Sequence, residues 1–171
     1  MIRLATLFSG IGAIEQALIR LHEDYELVFA CDNGEIEVDF DLDKAKEDIS
    51  KFESKREKKE YVDKLYSVTR KQNYVKKSYL ANYPINEDDF HLDVRLLDGK
   101  DYANQVDLLV GGSPCQSFSS IGFQGGLEDA RGTLFYDYAR IIKEVKPKVF
   151  IYENVRGLIT HDNGKTWEKI K

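Results

Sequence analysis

Residues 106–119 read VDLLVGGSPCQSFS, and this stretch decides the fold class of the chain. Residues 106–110 form a largely apolar run that is typical of a buried strand, and a small polar loop with a Pro-Cys pair follows it. In open α/β sheets, ligand sites lie beyond the carboxyl ends of such strands. Cys115 is therefore a candidate nucleophile at a strand end, and a packed, inert cysteine is the alternative interpretation.

Further apolar runs alternate with helical patterns on both sides of this stretch, which predicts a doubly wound parallel α/β sheet. The predicted strands are residues 2–8, 27–31, 91–94, 106–110 and 149–152. Predicted helices at residues 13–22 and 134–145 each carry one apolar stripe. With 171 residues, of which 42% are hydrophobic, the chain is expected to form a single domain.

A densely charged segment, residues 34–73, differs from the rest of the chain and is predicted to be a helical insertion. Residues 35–43 alternate between acidic and apolar side chains, which predicts a strand with one acidic face. Residues 44–70 fit one or two amphipathic helices packed on the flank of the sheet. A nucleic-acid-contacting arm is the alternative, but acids and bases are nearly balanced over the segment, which does not favour it.

Composition excludes several classes of protein. No apolar run reaches the roughly 18 residues of a membrane span, and the N-terminus lacks a signal-peptide pattern, so we expect a cytoplasmic protein without a membrane partner. Cys31 and Cys115 lie far apart and the three histidines are scattered, so no metal site is predicted. A formal net charge of -5 argues against a surface that neutralises many phosphates.

A glycine-containing turn, Leu7-Phe8-Ser9-Gly10-Ile11-Gly12-Ala13, follows the first predicted strand and would let a ligand approach the backbone. This pattern predicts a nucleotide-like cofactor. Glu15 stands where the NAD or FAD fingerprint needs a third Gly or Ala, which counts against those cofactors. Asp32 ends the second strand, where it can accept hydrogen bonds from both ribose hydroxyls, or else cap a turn. Asp93 is a candidate acceptor for an adenine amino group, or else a solvated surface residue.

The fifth predicted strand leads into Glu153-Asn154-Val155, next to the strand that precedes Cys115. A carboxyl group at that position can protonate or hydrogen-bond a substrate ring nitrogen. A satisfied polar residue at the strand boundary is the alternative.

In these motifs the chain resembles the DNA cytosine-5 methyltransferases. The segments that carry the resemblance occur in the family's order with compatible spacing: Phe8-Ser9-Gly10-Ile11-Gly12, Gly112-Ser113-Pro114-Cys115-Gln116, Arg131-Gly132-Thr133-Leu134-Phe135 and Glu153-Asn154-Val155. The resemblance covers nearly the whole chain except the insertion. It implies a Rossmann-like S-adenosylmethionine-dependent methyltransferase sheet.

The resemblance also implies that S-adenosylmethionine binds across the strand ends. The cofactor contacts that it implies are Phe8, Ser9, Gly10, Ile11, Gly12, Asp32, Asn33, Asp93, Val94, Pro114 and Leu134. Asn33 departs from the pattern, because many relatives place a bulkier side chain there against the adenine. A hydrogen-bonding role is the expectation that remains for it.

The implied reaction is methylation of cytosine at C5. Cys115 adds to C6 of the ring, while Glu153, followed by Asn154 in the catalytic motif, relieves the charge that builds on the pyrimidine. The target base must be flipped out of double-stranded DNA. Gln116 and Ser119 are the implied DNA contacts, in a loop over residues 117–126 that resembles the family's closing loop.

The family continues beyond the region that resembles residues 1–171, with further strands, an active-site arginine and a target-recognition domain. We therefore expect a partial catalytic domain, incomplete at the C-terminal edge of its sheet, that needs a completing half from the same chain or from a second subunit. The isolated chain is expected to methylate DNA poorly. A bacterial or phage restriction-associated enzyme is the leading interpretation. An RNA cytosine-5 methyltransferase and a non-catalytic binding module are the alternatives.

Overall fold

Five strands form one parallel sheet in a computed structural model that describes residues 1–114 and 134–171. The strands are β1 (Ile2–Leu7), β2 (Tyr25–Cys31), β3 (Phe90–His91), β4 (Leu108–Gly111) and β5 (Val149–Tyr152), in the spatial order β3-β2-β1-β4-β5. The α-helices are α1 (Ala13–Arg20), α2 (Leu42–Ser50), α3 (Lys55–Tyr66), α4 (Tyr74–Asn82), α5 (Leu134–Val145), α6 (Gly157–Thr160) and α7 (Lys165–Ile170). The predicted parallel α/β sheet is confirmed.

The strand register places the five carboxyl ends in one row. Leu7 pairs with Cys31 on one side and with Gly111 on the other. Cys31 in turn pairs with His91, and Gly111 pairs with Tyr152. The polar segments that follow the strands therefore meet along a single edge of the sheet, where α/β proteins bind their ligands.

Helices cover both faces of the sheet, because alternate side chains of β1 point to opposite sides. Leu4 packs in a cluster with Leu18 of α1. Leu7 packs in a second cluster with the stripe that α5 presents, which includes Tyr138 and Ile141. Both helical stripes predicted from the sequence are thus core faces. Helix α1 ends at Arg20, before the predicted boundary, and His22 adopts a φ of 56° just beyond it.

The third strand is shorter than predicted, because the chain turns at Asp93. The backbone oxygen of this residue accepts hydrogen bonds from the N–H groups of Leu96 and Leu97. Its carboxylate accepts a further bond from the backbone N–H of Arg95 at 2.9 Å. These local bonds replace a strand ladder over the second half of the predicted range, 91–94.

The charged segment forms helices α2 and α3 and packs against β2 and β3 at the edge of the sheet. Its buried side chains share a cluster with Ala30 of β2 and Phe90 of β3; they are Ile36, Ala45, Ile49, Val62 and Tyr66. The predicted amphipathic helices are confirmed. Gly34 and Asn73 lie in contact, so the segment leaves and re-enters the fold at one point.

The predicted strand over residues 35–43 is wrong. No described strand pairs with this segment, and α2 begins at Leu42 behind an Asp41 side chain that caps the N–H of Lys44. The alternation has a different cause, since Ile36, Val38 and Phe40 all pack on the insertion's core. Every second side chain is thus buried here, although no described strand pairs with the segment.

Strand β5 forms one edge of the sheet. Val149, Phe150 and Ile151 are 56%, 54% and 50% exposed, respectively.

Candidate active site and cofactor cleft

The turn after β1 depends on left-handed backbone at three positions. Phe8, Gly10 and Gly12 have φ values of 54°, 54° and 89°. A side chain at Gly12 would collide with the ring of Tyr83, whose hydroxyl donates to the Gly12 carbonyl at 2.8 Å. A Cβ at Gly10 would meet nothing within 4 Å among the described residues, so the turn leaves open space beside its backbone.

Asp32 lies directly against this turn. Its carboxylate accepts hydrogen bonds from the backbone N–H of Gly10 at 2.8 Å and from that of Gly34 at 2.7 Å. A carboxylate has about four lone-pair sites, so two remain for further donors. The side chain is half-buried at the strand edge. Asp32 can therefore both hold the turn and accept from the hydroxyls of a bound ribose.

The other residues of the turn have different environments. The Ser9 hydroxyl donates to the carbonyl oxygen of Thr6 or Cys31 and accepts from the Cys31 N–H at 3.1 Å, so it joins the ends of β1 and β2. Ile11 is 69% exposed. Asn33 accepts from the Glu35 N–H and donates to the Ile36 carbonyl, which makes it a turn-forming residue. The cofactor roles of these residues stay predictions.

Asp93 is only 5% exposed and its carboxylate is held by two side chains. Arg95 donates from Nη2 to Oδ2 at 2.7 Å and from Nε to Oδ1 at 2.9 Å, and the Tyr66 hydroxyl donates to Oδ2 at 3.0 Å. The pKa of the Tyr66 hydroxyl is raised by burial and by this carboxylate. Together with the Arg95 backbone N–H, these donors occupy the acceptor sites of the Asp93 carboxylate. An adenine amino group would have to displace one of them. Val94 lies buried in the central core.

Segments after β4 and β5 lie side by side. A Cβ on Gly112 would sit 2.7 Å from both the backbone oxygen and Oε2 of Glu153, so glycine is needed for this approach. The Asn154 side chain donates to the Ser113 carbonyl at 3.1 Å and to the Tyr152 hydroxyl at 2.9 Å. Burial raises the pKa of that hydroxyl. Asn154 therefore fixes the spacing between the two segments.

This geometry brings the exposed carboxyl group of Glu153 to the segment that continues through Pro114 to Cys115. Pro114 and Leu134 are both half-buried at the ends of the described stretches. Cys115, Gln116 and Ser119 lie outside the described residues, as do the predicted loop at 117–126 and residues 131–133.

The other cysteine is not a candidate nucleophile. Cys31 is 2% exposed in the central core, and burial raises the pKa of its thiol well above the ordinary value. A buried, protonated thiol is unreactive.

A buried polar cluster behind the glycine turn was not predicted from the sequence. The Glu15 side chain is fully buried and accepts hydrogen bonds from the hydroxyls of Thr6 and Tyr79. Its second oxygen, Oε2, has no hydrogen-bond partner among the described residues. The cluster joins α1 to α4. Its only signal in the sequence is Glu15 on the apolar side of α1, which counts against a dinucleotide cofactor but does not by itself indicate a packing role.

The described residues contain no group of His, Cys, Asp and Glu side chains able to hold a metal ion. The same part of the chain contains no helix that is long and apolar enough to cross a membrane.

An open parallel sheet with helices on both faces and polar segments along the edge formed by its strand ends defines the doubly wound α/β class. Within that class, the family model of C-5 cytosine-specific DNA methylase matches residues 52–171, and the chain belongs to that family.

Two relatives named as methyltransferases agree with this family. The chain is 39% identical over 165 residues to the orphan methyltransferase M.Rho11sI of Bacillus phage rho11s, a match that covers 96% of this chain and 25% of the relative. It is 56% identical over 79 residues to the type II methyltransferase M.Eco47II of Escherichia coli, covering 46% of this chain and 19% of the relative. Each match thus covers a quarter or less of the length of the relative.

The structure of the Dnmt2 methyltransferase from S. pombe superposes with a TM-score of 0.58 at 20% identity, over 99% of this chain and 41% of that one. This likeness shows the fold, and it confirms the predicted Rossmann-like methyltransferase sheet.

Proposed function

We propose that the enzyme carrying this chain transfers a methyl group from S-adenosylmethionine to C5 of cytosine in double-stranded DNA, and that residues 1–171 supply its catalytic and cofactor-binding part. One observation carries the proposal. In a chain of the cytosine-5 methylase family, Glu153 packs against Gly112 in the segment that leads to Cys115. This contact supports a shared pocket for a nucleophile and an acid.

The roles follow from cytosine chemistry. C5 is a poor nucleophile, so the Cys115 thiolate first adds to C6 and pushes electron density to C5. Glu153 stabilises the charge that develops around N3 and the exocyclic amine. After methylation, water accepts the C5 proton, and elimination of the Cys115 thiolate restores the C5–C6 double bond. Asn154 is a positioning residue, because its amide holds the Ser113 carbonyl and thereby the backbone that leads to Cys115.

The residues of the cleft fit S-adenosylmethionine. The open space at Gly10 would admit the methionine portion, and the two free acceptor sites of Asp32 match the two ribose hydroxyls. Phe8, Asp93 and Val94 would lie towards the adenine. When bound, this cofactor supplies an electrophilic methyl group. Access of cytosine to such a pocket requires base flipping, with DNA contacts from Gln116 and Ser119.

The relatives' names favour a modification enzyme of bacterial or phage origin, of the orphan or the type II kind. Such an enzyme would act on DNA in the cytoplasm.

Covalent trapping tests the proposal in the complete enzyme that carries this chain. With S-adenosylmethionine present, duplex DNA containing 5-fluorocytosine should form a stable adduct. Fluorine replaces the C5 hydrogen whose loss as a proton would allow the thiolate to be eliminated. Cys115→Ala should abolish the adduct. Cys31→Ala, which removes the buried thiol, should retain it. An adduct with RNA alone would mean that RNA, not DNA, is the substrate. No adduct with either would favour a non-catalytic module.

A further inference from the structure

Acidic and basic residues are separated along the charged insertion and the first turn of α4, which follows it. Residues 35–53 contain eight carboxylates and three lysines, whereas residues 64–77 contain five cations and no carboxylate. We call residues 64–77 the basic segment. Because acidic and basic residues are nearly equal in number over the whole insertion, its net charge does not reveal this separation. The basic segment is also unusual for the protein as a whole, whose formal net charge is -5.

Most cations of the basic segment form no ion pair within residues 1–114 and 134–171. Lys76 pairs with Glu87 at 2.8 Å. The others are exposed and form no ion pair with any described residue: Lys64, Arg70, Lys71 and Lys77. Cations elsewhere in the insertion are largely neutralised, as in Lys58, which pairs with Asp98 and Asp101. The basic segment also exposes Val68 and Tyr74 by 75% and 71%.

Two hydrogen bonds fix the basic segment to the ligand-binding edge of the sheet. The Tyr66 hydroxyl donates to Asp93, two residues beyond β3, at 3.0 Å. The Asn73 amide donates to the backbone oxygen of Asp32, which follows β2, at 3.2 Å. The connection between these anchors, residues 67–72, therefore lies at the same edge as Gly112 and Glu153.

We propose that the basic segment binds the phosphate backbone of duplex DNA beside the target cytosine. This inference rests on the proposed function, because it takes DNA to be the substrate presented to that edge. Phosphate contacts from lysine and arginine are the main source of sequence-independent affinity for DNA. The exposed cations of the basic segment would supply such contacts in an otherwise acidic domain.

The sheet order indicates how far from the target these contacts lie. About three strand spacings separate the β4–β5 pair from the β2–β3 pair, which is roughly 14 Å at about 4.8 Å per strand. One strand of duplex DNA advances about 3.4 Å per base pair, so the contacts would fall roughly four base pairs from the flipped cytosine.

Salt-dependent binding tests the proposal in the complete enzyme. Fluorescence anisotropy would measure the affinity for a duplex carrying one target site, from 50 to 200 mM salt, for wild type and for Arg70→Gln/Lys71→Gln. Lys44→Gln/Lys46→Gln is a matched control, because it also removes two exposed, unpaired cations of the insertion, but on α2. We expect the Arg70/Lys71 variant to lower the salt slope by about 1.8 and to bind roughly tenfold more weakly at low salt. The control should match wild type.

Three outcomes would overturn the inference: equal salt slopes in the two double variants, weakening of RNA hairpin binding without weakening of duplex binding, or equal weakening for anionic lipid vesicles and DNA. In each case, covalent trapping of 5-fluorocytosine DNA by wild type would show that the proposed function stands. Failure of wild type to bind or trap duplex DNA would instead overturn the proposed function. Shortening the duplex to two base pairs on each side of the target should abolish the difference between wild type and the Arg70/Lys71 variant.

Discussion

Asp32 and Asp93 have the same place in the sequence pattern, since each follows a strand at the ligand edge. Their hydrogen bonds separate them. Asp32 accepts two backbone N–H groups and keeps acceptor capacity, whereas Asp93 is filled by Arg95 and Tyr66. Of the two carboxylates, Asp32 is therefore the one prepared to bind further donors.

Asp32→Asn should weaken binding of S-adenosylhomocysteine roughly tenfold, because an amide offers one acceptor oxygen where the turn and the ribose need two. Titration calorimetry on the chain measures this. Glu35→Gln removes an exposed carboxylate from the same loop and should bind like wild type. Equal affinities for the Asp32 variant and wild type would exclude the ribose role.

At the scale of elements, α4 is held to the core by polar as well as apolar contacts. Tyr79 donates to the buried Glu15 of α1, and Tyr83 donates to the Gly12 carbonyl. Burial, followed by the Glu15 carboxylate, raises the pKa of Tyr79 far above its ordinary value, so this hydroxyl stays a donor. Helix α4 thus buttresses the glycine turn from behind.

Tyr79→Phe should lower the free energy of unfolding by about 1–3 kcal/mol, because it leaves Glu15 buried with fewer hydrogen bonds. Urea unfolding followed by circular dichroism provides the measurement. Tyr74→Phe alters an exposed hydroxyl on the same helix and should cost almost nothing. If the two variants lose the same stability, the buried bond contributes nothing to the fold.

At the scale of the whole molecule, the half-buried His91 at the end of β3 lies beside side chains of α3. Its ring lies against Phe29 and Tyr102, and its Nε2 is 2.6 Å from the Tyr102 hydroxyl. Burial, followed by the charges of Lys59 and Lys55 on α3, lowers the pKa of His91 to about 3. The folded protein therefore keeps this imidazole neutral at pH values where the unfolded chain protonates it.

Stability should accordingly fall as the pH drops below the unfolded pKa of about 6.5, by up to about 2 kcal/mol between pH 7 and pH 5. The loss continues until the folded pKa is reached. Urea titrations at several pH values would show a smaller pH dependence for His91→Phe, whatever that variant's stability at pH 7. The exposed His22, replaced by Asn, serves as the control and should keep the wild-type dependence. An unchanged slope in His91→Phe would place the titration elsewhere.

By itself the sequence determined the sheet, four of its five strand ends to within one residue and the order of the motifs, because apolar periodicity and glycine turns are local properties of the chain. It failed at residues 35–43, where alternate burial has the period of a strand but no partner strand. It also missed Glu15 as a packing residue, since the Tyr79 hydroxyl that satisfies it lies far along the chain.

Only the tertiary structure decided which strand-end carboxylate retains free acceptor sites and which cations of the basic segment form no ion pair with a described residue. Both depend on contacts between residues distant in sequence, such as Tyr66 with Asp93 and Asn73 with Asp32. A hydrogen bond or ion pair uses up acceptor and donor capacity that a residue's type and position cannot reveal. The motif around Cys115 was thus evident from the sequence, whereas the surface that would guide DNA towards it emerged only from the fold.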